Sequence, residues 1–319
     1  MNANISTTDR QSIVENCWRD QALWSETASQ LKKKLSMWRN VCASAGLLGA
    51  FMETLAGTLA GIDESLRFPA AVIALIGAVV LAVVPYLLHT KVSKDRIREW
   101  IRARSASETL KEIIFRYLLE SPPFGPDAAP GQLIDQCEAV KANIKDLSIY
   151  AAAIDPPRKE RPNNLNINEY INLRVKDQIE NYYRRNGKKK ARAAKKLHNF
   201  EFGLGILAVA LGALAGANTA FKELQFSFLG PWVAVVTTAG AAVTAHLAAL
   251  RYDHEAIIFS GTADRLSGLL NKYLANPDRM SVISITRFVD DCEHAISTEN
   301  ESWLAKWTEV PATNMSNIP

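Results

Sequence analysis

The stretch GLLGAFMETLAGTLAG, Gly46 to Gly61, decides how this chain is read. It is apolar and rich in small residues, and it lies inside a longer block, Val41–Ile62, whose one charged side chain is Glu53. About 20 helical residues, each rising 1.5 Å, cross the roughly 30 Å of hydrocarbon in a bilayer. A carboxylate near the centre of such a helix costs about 2.5–3.5 kcal/mol on insertion, which the surrounding apolar positions offset. The block is therefore predicted to span a membrane, with Glu53 turned away from lipid.

Working outward, three more blocks of similar length carry few or no charges: Phe68–His89, Phe202–Phe221 and Phe228–Leu250. Of the 319 residues 48% are hydrophobic and 22% charged, and the apolar share is concentrated in these four places. We expect an all-α membrane protein with two transmembrane hairpins, its four spans at about 41–62, 68–89, 202–221 and 228–250. No run of alternating residues points to a sheet. The first block starts too far along the chain and is too long for a signal-peptide core.

The formal net charge of +4 is distributed along the chain rather than concentrated for nucleic acid. Lys32, Lys33, Lys34 and Arg39 precede the first block, and Lys91, Lys94, Arg96, Arg98, Arg102 and Arg104 follow the second. Lys188, Lys189, Lys190, Arg192, Lys195 and Lys196 precede the third. Positive flanks mark the cytoplasmic side, so both termini are expected there, with the two tight turns opposite. The segment YYRRNGKKKARAAKKLHNF, Tyr182 to Phe200, would suggest RNA stacking in a soluble protein. Because it leads into a span, it is read as fixing topology and meeting anionic lipid, and direct nucleic-acid binding is not expected.

Halving the chain exposes a duplication. IDQCEAV, Ile134 to Val140, recurs as VDDCEHA, Val289 to Ala295, so that Asp135, Cys137 and Glu138 match Asp290, Cys292 and Glu293 about 155 residues on. Arg19–Asp20–Gln21 corresponds to Lys176–Asp177–Gln178, and Tyr117 and Pro122 to Tyr273 and Pro277. We expect a first unit at 1–155, a Pro/Asn-rich linker at 156–166, a second unit at 167–310 and a flexible tail at 311–319. Each unit reads as an amphipathic helix, a hairpin, a helix continuing out of the second span, and a final amphipathic helix. In the first unit Leu133, Cys137, Val140, Ile144, Leu147, Ala151 and Ile154 form one helical stripe. In the second unit Val289, Cys292, Ile296, Glu299, Trp303 and Trp307 follow the same line. Cys137, Cys292, Trp303 and Trp307 are thus candidates for a cytoplasmic core or interface, and the acids beside the cysteines read as solvated or salt-bridged.

Chemistry-bearing motifs are missing. There is no phosphate loop, HExxH, nucleophile elbow or ligand cluster with metal spacing, so no catalytic residue, cofactor or metal is expected. The four cysteines, Cys17, Cys42, Cys137 and Cys292, form no CxxC pair and are expected to be reduced and buried. The candidates lie in the spans instead. Glu53, with Thr54 beside it and Ser44 nine residues earlier, is a candidate polar or pore-lining group. The second hairpin has no acid at the comparable position near Ala210. Gly46, Gly49 and Gly57 in the first span, and the GxxxG pair Gly212 and Gly216 in the third, are candidates for close helix packing within the chain or between subunits.

The paired hairpins, the segments RYLLESP and KYLANP that follow them, and the ending FVDDCEHAISTENESWLAKW, Phe288 to Trp307, resemble the bacterial SLATT group. These are two-transmembrane effector domains of bacterial conflict (antiphage) systems, associated with nucleotide-synthesising and SLOG-sensor proteins. The resemblance covers nearly the whole chain as two tandem copies, the first without an equivalent of Trp303. It implies a non-enzymatic effector of the bacterial inner membrane, a homo-oligomer that forms a pore or disrupts the bilayer when an upstream nucleotide signal or sensor protein acts on its cytoplasmic helices. The alternative is a non-conducting membrane adaptor that recruits a partner through those helices.

Overall fold

The computed structural model describes residues 7–157, 162, 165–220 and 229–308, with the side chains of 7–9, 218–220, 249 and 299–308 left out. Among the described residues the chain is all helix and has no strand. The helices follow in order: α1 Thr7–Ile62, α2 Arg67–Lys91, α3 Lys94–Leu118, α4 Pro130–Ala142, α5 Ser148–Ala151, α6 Ile167–Tyr170, α7 Arg185–Ala220, α8 Gly230–Leu250, α9 Tyr252–Leu274 and α10 Val282–Thr308. Between α6 and α7 the helix runs on without interruption through two wider, π-helical stretches, Ile171–Lys176 and Gln178–Arg184. Asn166 opens α6 with a reciprocal cap, its side chain accepting from the Glu169 amide while the Glu169 carboxylate accepts from the Asn166 amide.

Four helices are long and apolar enough to cross a membrane, and no more than 12% of any of their apolar windows is buried. That outward-facing apolar surface, with Phe68 81%, Val209 73% and Leu75 66% exposed, has no place in water and identifies a multi-pass membrane protein. The first hairpin turns at Asp63, whose carboxylate accepts the Ser65 amide at 2.9 Å. The expected second turn, with Lys222 and Glu223, lies outside the described residues, as does the whole tail at 311–319.

The chain divides into two compact units. One gathers both hairpins, Leu35–Ser93 and Gly187–Ile257. The other gathers the flanking helices, Met1–Lys34, Lys94–Asn186 and Ile258–Pro319. Each unit thus takes material from both sequence halves: apolar spans share one solvent, amphipathic helices the other.

The helical unit has an aromatic spine. Trp18 meets Phe115 edge-on at 6.1 Å, Phe115 meets Tyr170 at 5.8 Å, Tyr170 meets Phe288 at 6.3 Å, and Phe288 stacks on Tyr273 at 4.3 Å. The spine runs from α1 through α3 and α6 to α10 and α9, so both halves of the sequence contribute to one core. Helices α4 and α10 both pack on α3.

Two expectations are corrected. The stripe Leu133–Ile154 is not one helix: α4 ends at Ala142, and a 3-10 turn at Lys145–Leu147 leads into α5. The cause is Arg102, whose guanidinium takes the Asn143 carbonyl at 2.7 Å and both oxygens of Asp146 at 2.7 and 2.8 Å, rewarding a break in the backbone ladder. Leu133, Cys137, Ile144, Leu147 and Ala151 are buried all the same. The helices leaving the second span of each hairpin are not continuous either. Val92 and Ser93 separate α2 from α3, and Arg251, with a left-handed φ of 46°, separates α8 from α9.

Candidate functional site

In the membrane unit α1 and α2 cross where glycine faces glycine. A Cβ at Gly49 would stand 2.6 Å from Leu81 Cγ and 3.2 Å from the Gly77 carbonyl oxygen. A Cβ at Gly77 would stand 3.1 Å from Met52 Cβ, 3.2 Å from the Gly49 carbonyl oxygen and 3.3 Å from Glu53 Oε1. Missing side chains let the backbones approach, and the room at Gly77 is also the room into which Glu53 reaches. Glu53 lies one turn beyond Gly49 on the same face, half-buried. Among the described residues its carboxylate has no hydrogen bond or ion pair. Gly77 of α2, which stands out in no sequence motif, is the position it faces.

The other candidates are placed differently. Thr54 and Thr58 donate to the carbonyls of Ala50 and Thr54, at 3.1 and 2.8 Å, so their protons are engaged by their own helix. Ser44 is exposed, and nine residues at 100° each place it half a turn away from Glu53, so it does not extend a seam with the acid. At Gly46, Gly57, Gly212 and Gly216 an added Cβ would meet nothing within 4 Å. Phe51 of α1 meets Trp232 of α8 edge-on at 5.4 Å, joining the first hairpin to the second.

Below the second hairpin lies a polar collar. Lys190 Nζ is 2.5 Å from Glu255 and stands 4.5 Å over the Tyr252 ring. His198 contacts Asp253 at 3.1 Å and Glu201 at 3.6 Å, and the hydrogen bond its ring donates to Asp253 raises its pKa above the ordinary 6.5. Arg185, Lys188, Lys189, Arg192, Lys195 and Lys196 are exposed on α7, and none is in an ion pair among the described residues. The arginines of α3 contrast with them: Arg98, Arg102 and Arg116 are each paired with a carboxylate.

The helical unit holds the densest charge. Arg174 and Glu293 are both fully buried, joined from Nε to Oε1 at 3.0 Å and from Nη2 to Oε2 at 2.8 Å. The Tyr170 hydroxyl donates to Glu293 Oε1 at 2.9 Å, and Arg174 Nη1 reaches Glu108 at 3.2 Å. Burial disfavours the charged guanidinium, but Glu293 and then Glu108 outweigh it and hold the Arg174 pKa well above its ordinary value. The Tyr170 hydroxyl is pushed up by burial and by the Glu293 charge. One helical turn along α3, Arg116 pairs with Glu112 at 2.9 Å and also with Asp290 of α10.

Of the repeated acids, Glu138 is exposed and bound to Lys141 at 2.6 Å, whereas its counterpart Glu293 is sealed in the core. Identical spacing on the sequence concealed opposite environments. Cys137 and Cys292 are both buried, and Trp303 and Trp307 fall on the part of α10 whose side chains are outside the described residues. Among the described residues no group of His, Cys, Asp and Glu is arranged to hold a metal.

Two family models match the chain. Residues 170–303 match the SMODS and SLOG-associating 2TM effector domain 1, and residues 20–130 match a protein family of unknown function, DUF4231. No curated protein and no solved structure matches.

Proposed function

We propose that the chain is a SLATT-type two-transmembrane effector, a reading supported by the match over residues 170–303, and that it acts in bacterial antiphage defence as an oligomeric inner-membrane effector, both termini cytoplasmic, that opens or perturbs the bilayer on a cytoplasmic signal. The two tandem copies, 1–155 and 167–310, are the units of descent. The observation that carries this reading is the continuity of the entering helices. α1 runs unbroken from the helical unit into the first span over 56 residues, about 84 Å of helix. The helix from Ile167 likewise runs through α7 into the third span. The exits, by contrast, carry joints at Val92–Ser93 and Arg251. A displacement of the helical unit is thus handed directly to one span of each hairpin, while the other span is free to adjust.

The test is reconstitution of the full chain into phospholipid vesicles holding a potassium-sensitive dye, with insertion verified by protease protection. The expected result is a flux that rises more steeply than linearly with the protein-to-lipid ratio, with altered ion selectivity in E53Q. Correctly inserted protein that passes no ions at any ratio overturns the conducting reading.

One observation favours the second reading, a non-conducting adaptor: Glu53 lies against Gly77 of its own hairpin, where it serves intrachain packing. The adaptor gives no flux, while its helical unit captures an upstream sensor protein.

A further inference from the structure

The sequence separates Cys17 and Cys137 by 120 residues, and the fold brings their thiols into hydrogen-bond contact. Both are buried, at 5% and 2% exposure, in the helical unit, one on α1 and the other on α4. The same two helices are clamped one turn further on by Lys141, which reaches Asp20 at 2.7 Å and Glu138 at 2.6 Å. We infer that Cys17 and Cys137 form a dithiol site that a hydroperoxide converts to an intrachain disulfide, tying α1 to α4.

The two thiols are not equivalent. The Cys137 S–H donates to the Cys17 sulfur, and that contact, with a smaller contribution from the Lys141 ammonium, holds Cys17 below the usual thiol range against its burial and the charges of Asp20 and Glu138. Cys137 is pushed up by that same contact and by burial. Cys17 is thus the sulfur that attacks and Cys137 the one that resolves. The Cys17 thiolate attacks the peroxide O–O bond, forming a sulfenic acid and releasing hydroxide, which takes up a proton as water. Cys137 then loses its proton, attacks the Cys17 sulfur and expels the second oxygen as water. Two thiols give up two electrons and two protons, and one peroxide becomes two waters.

The second copy lacks this chemistry. By the Asp20–Asp177 correspondence the residue that replaces Cys17 there is Arg174, engaged with Glu293, while the counterpart of Cys137 is Cys292. Burial, then Glu293 and Asp291, push the Cys292 thiol up, which leaves it unreactive. Only the first copy carries a dithiol, and it sits on the helix that continues into the Glu53-bearing span.

The experiment exposes the folded full chain in detergent to hydrogen peroxide, removes the oxidant, denatures, and alkylates before peptide mass mapping. The expected result is alkylation at Cys42 and Cys292 with a Cys17–Cys137 linked peptide that disappears on reduction. Four alkylated cysteines, or oxidation of Cys17 to sulfinic acid without the link, overturns the inference. In C137S the Cys17 sulfenic acid should persist and be trapped by dimedone, whereas C17S should leave Cys137 reduced; a C137S protein that traps nothing counts equally against it. The wild-type mapping stands even where a variant does not fold, and its outcome is independent of whether the protein conducts ions.

Discussion

Arg174 and Glu293 lie 119 residues apart in sequence and meet with no exposure to solvent, their charges satisfied by each other, by Tyr170 and by Glu108. Removing one partner of such a pair leaves a buried charge unanswered, at about 3–5 kcal/mol. Arg174→Ala and Glu293→Ala are each expected to destabilise the chain by that order. The double variant should cost less than the sum, a coupling readable from denaturant unfolding of the four proteins of the cycle. Additive losses would show that the pair acts only through volume.

Glu108 gives the same cluster a pH dependence. Burial pushes its carboxyl up, but Arg174, then Lys111 and Arg104, outweigh burial and hold it below its ordinary 4.5. A carboxyl depressed in the folded state contributes stability that is complete above the unfolded pKa and is lost as pH falls through the folded one. Wild type should therefore exceed E108Q in unfolding midpoint at neutral pH, and the gap should close as the pH is taken below 4.5. A gap independent of pH would remove the charge from the explanation.

The glycines fall into two experimental classes. Gly77→Leu drives a side chain into Met52, Gly49 and Glu53, and is expected to separate α1 from α2 at about 1–3 kcal/mol, measured by unfolding in micelles. Gly212→Ala and Gly216→Ala meet nothing within 4 Å and should not lower the unfolding free energy of the chain, since alanine is the better helix former. If either lowers the oligomer mass at unchanged chain stability, these glycines pack between copies.

The exposed basic face of α7 predicts an orientation effect. Changing Lys188, Lys189, Arg192, Lys195 and Lys196 to Gln removes about 1 kcal/mol of attraction to the anionic cytoplasmic leaflet for each residue near the surface. A growing share of molecules should then insert the second hairpin inverted, which labelling of single cysteines placed in its turn from either side of the membrane would detect. Uniform orientation in the fivefold variant would transfer the topology signal elsewhere.

The four spans were legible because a bilayer imposes length and apolarity on contiguous residues, a constraint that a single sequence displays directly. The duplicated Asp–Cys–Glu motif was legible too, but its consequence was not. Whether Glu293 is buried depends on Arg174, which belongs to a different helix and whose counterpart in the first copy is the uncharged Cys17. Gly77 escaped notice for a similar reason: it lies alone in α2, away from the small-residue clusters, and its role arises only where Gly49 crosses it. The broken stripe after Ala142 turns on Arg102, a residue of α3 some 40 positions earlier, whose reach no local pattern announces.

The Phe51–Trp232 contact carries a consequence for stoichiometry. It fastens a hairpin with an acid inside its span to one whose spans carry none, within a single chain, so the pair travels as a fixed couplet. Any closed ring of this protein therefore contains an even number of hairpins, and its count of Glu53 side chains is half that number. A ring of separate, identical hairpins could adopt odd parity and place an acid at every step; the tandem chain has given up both.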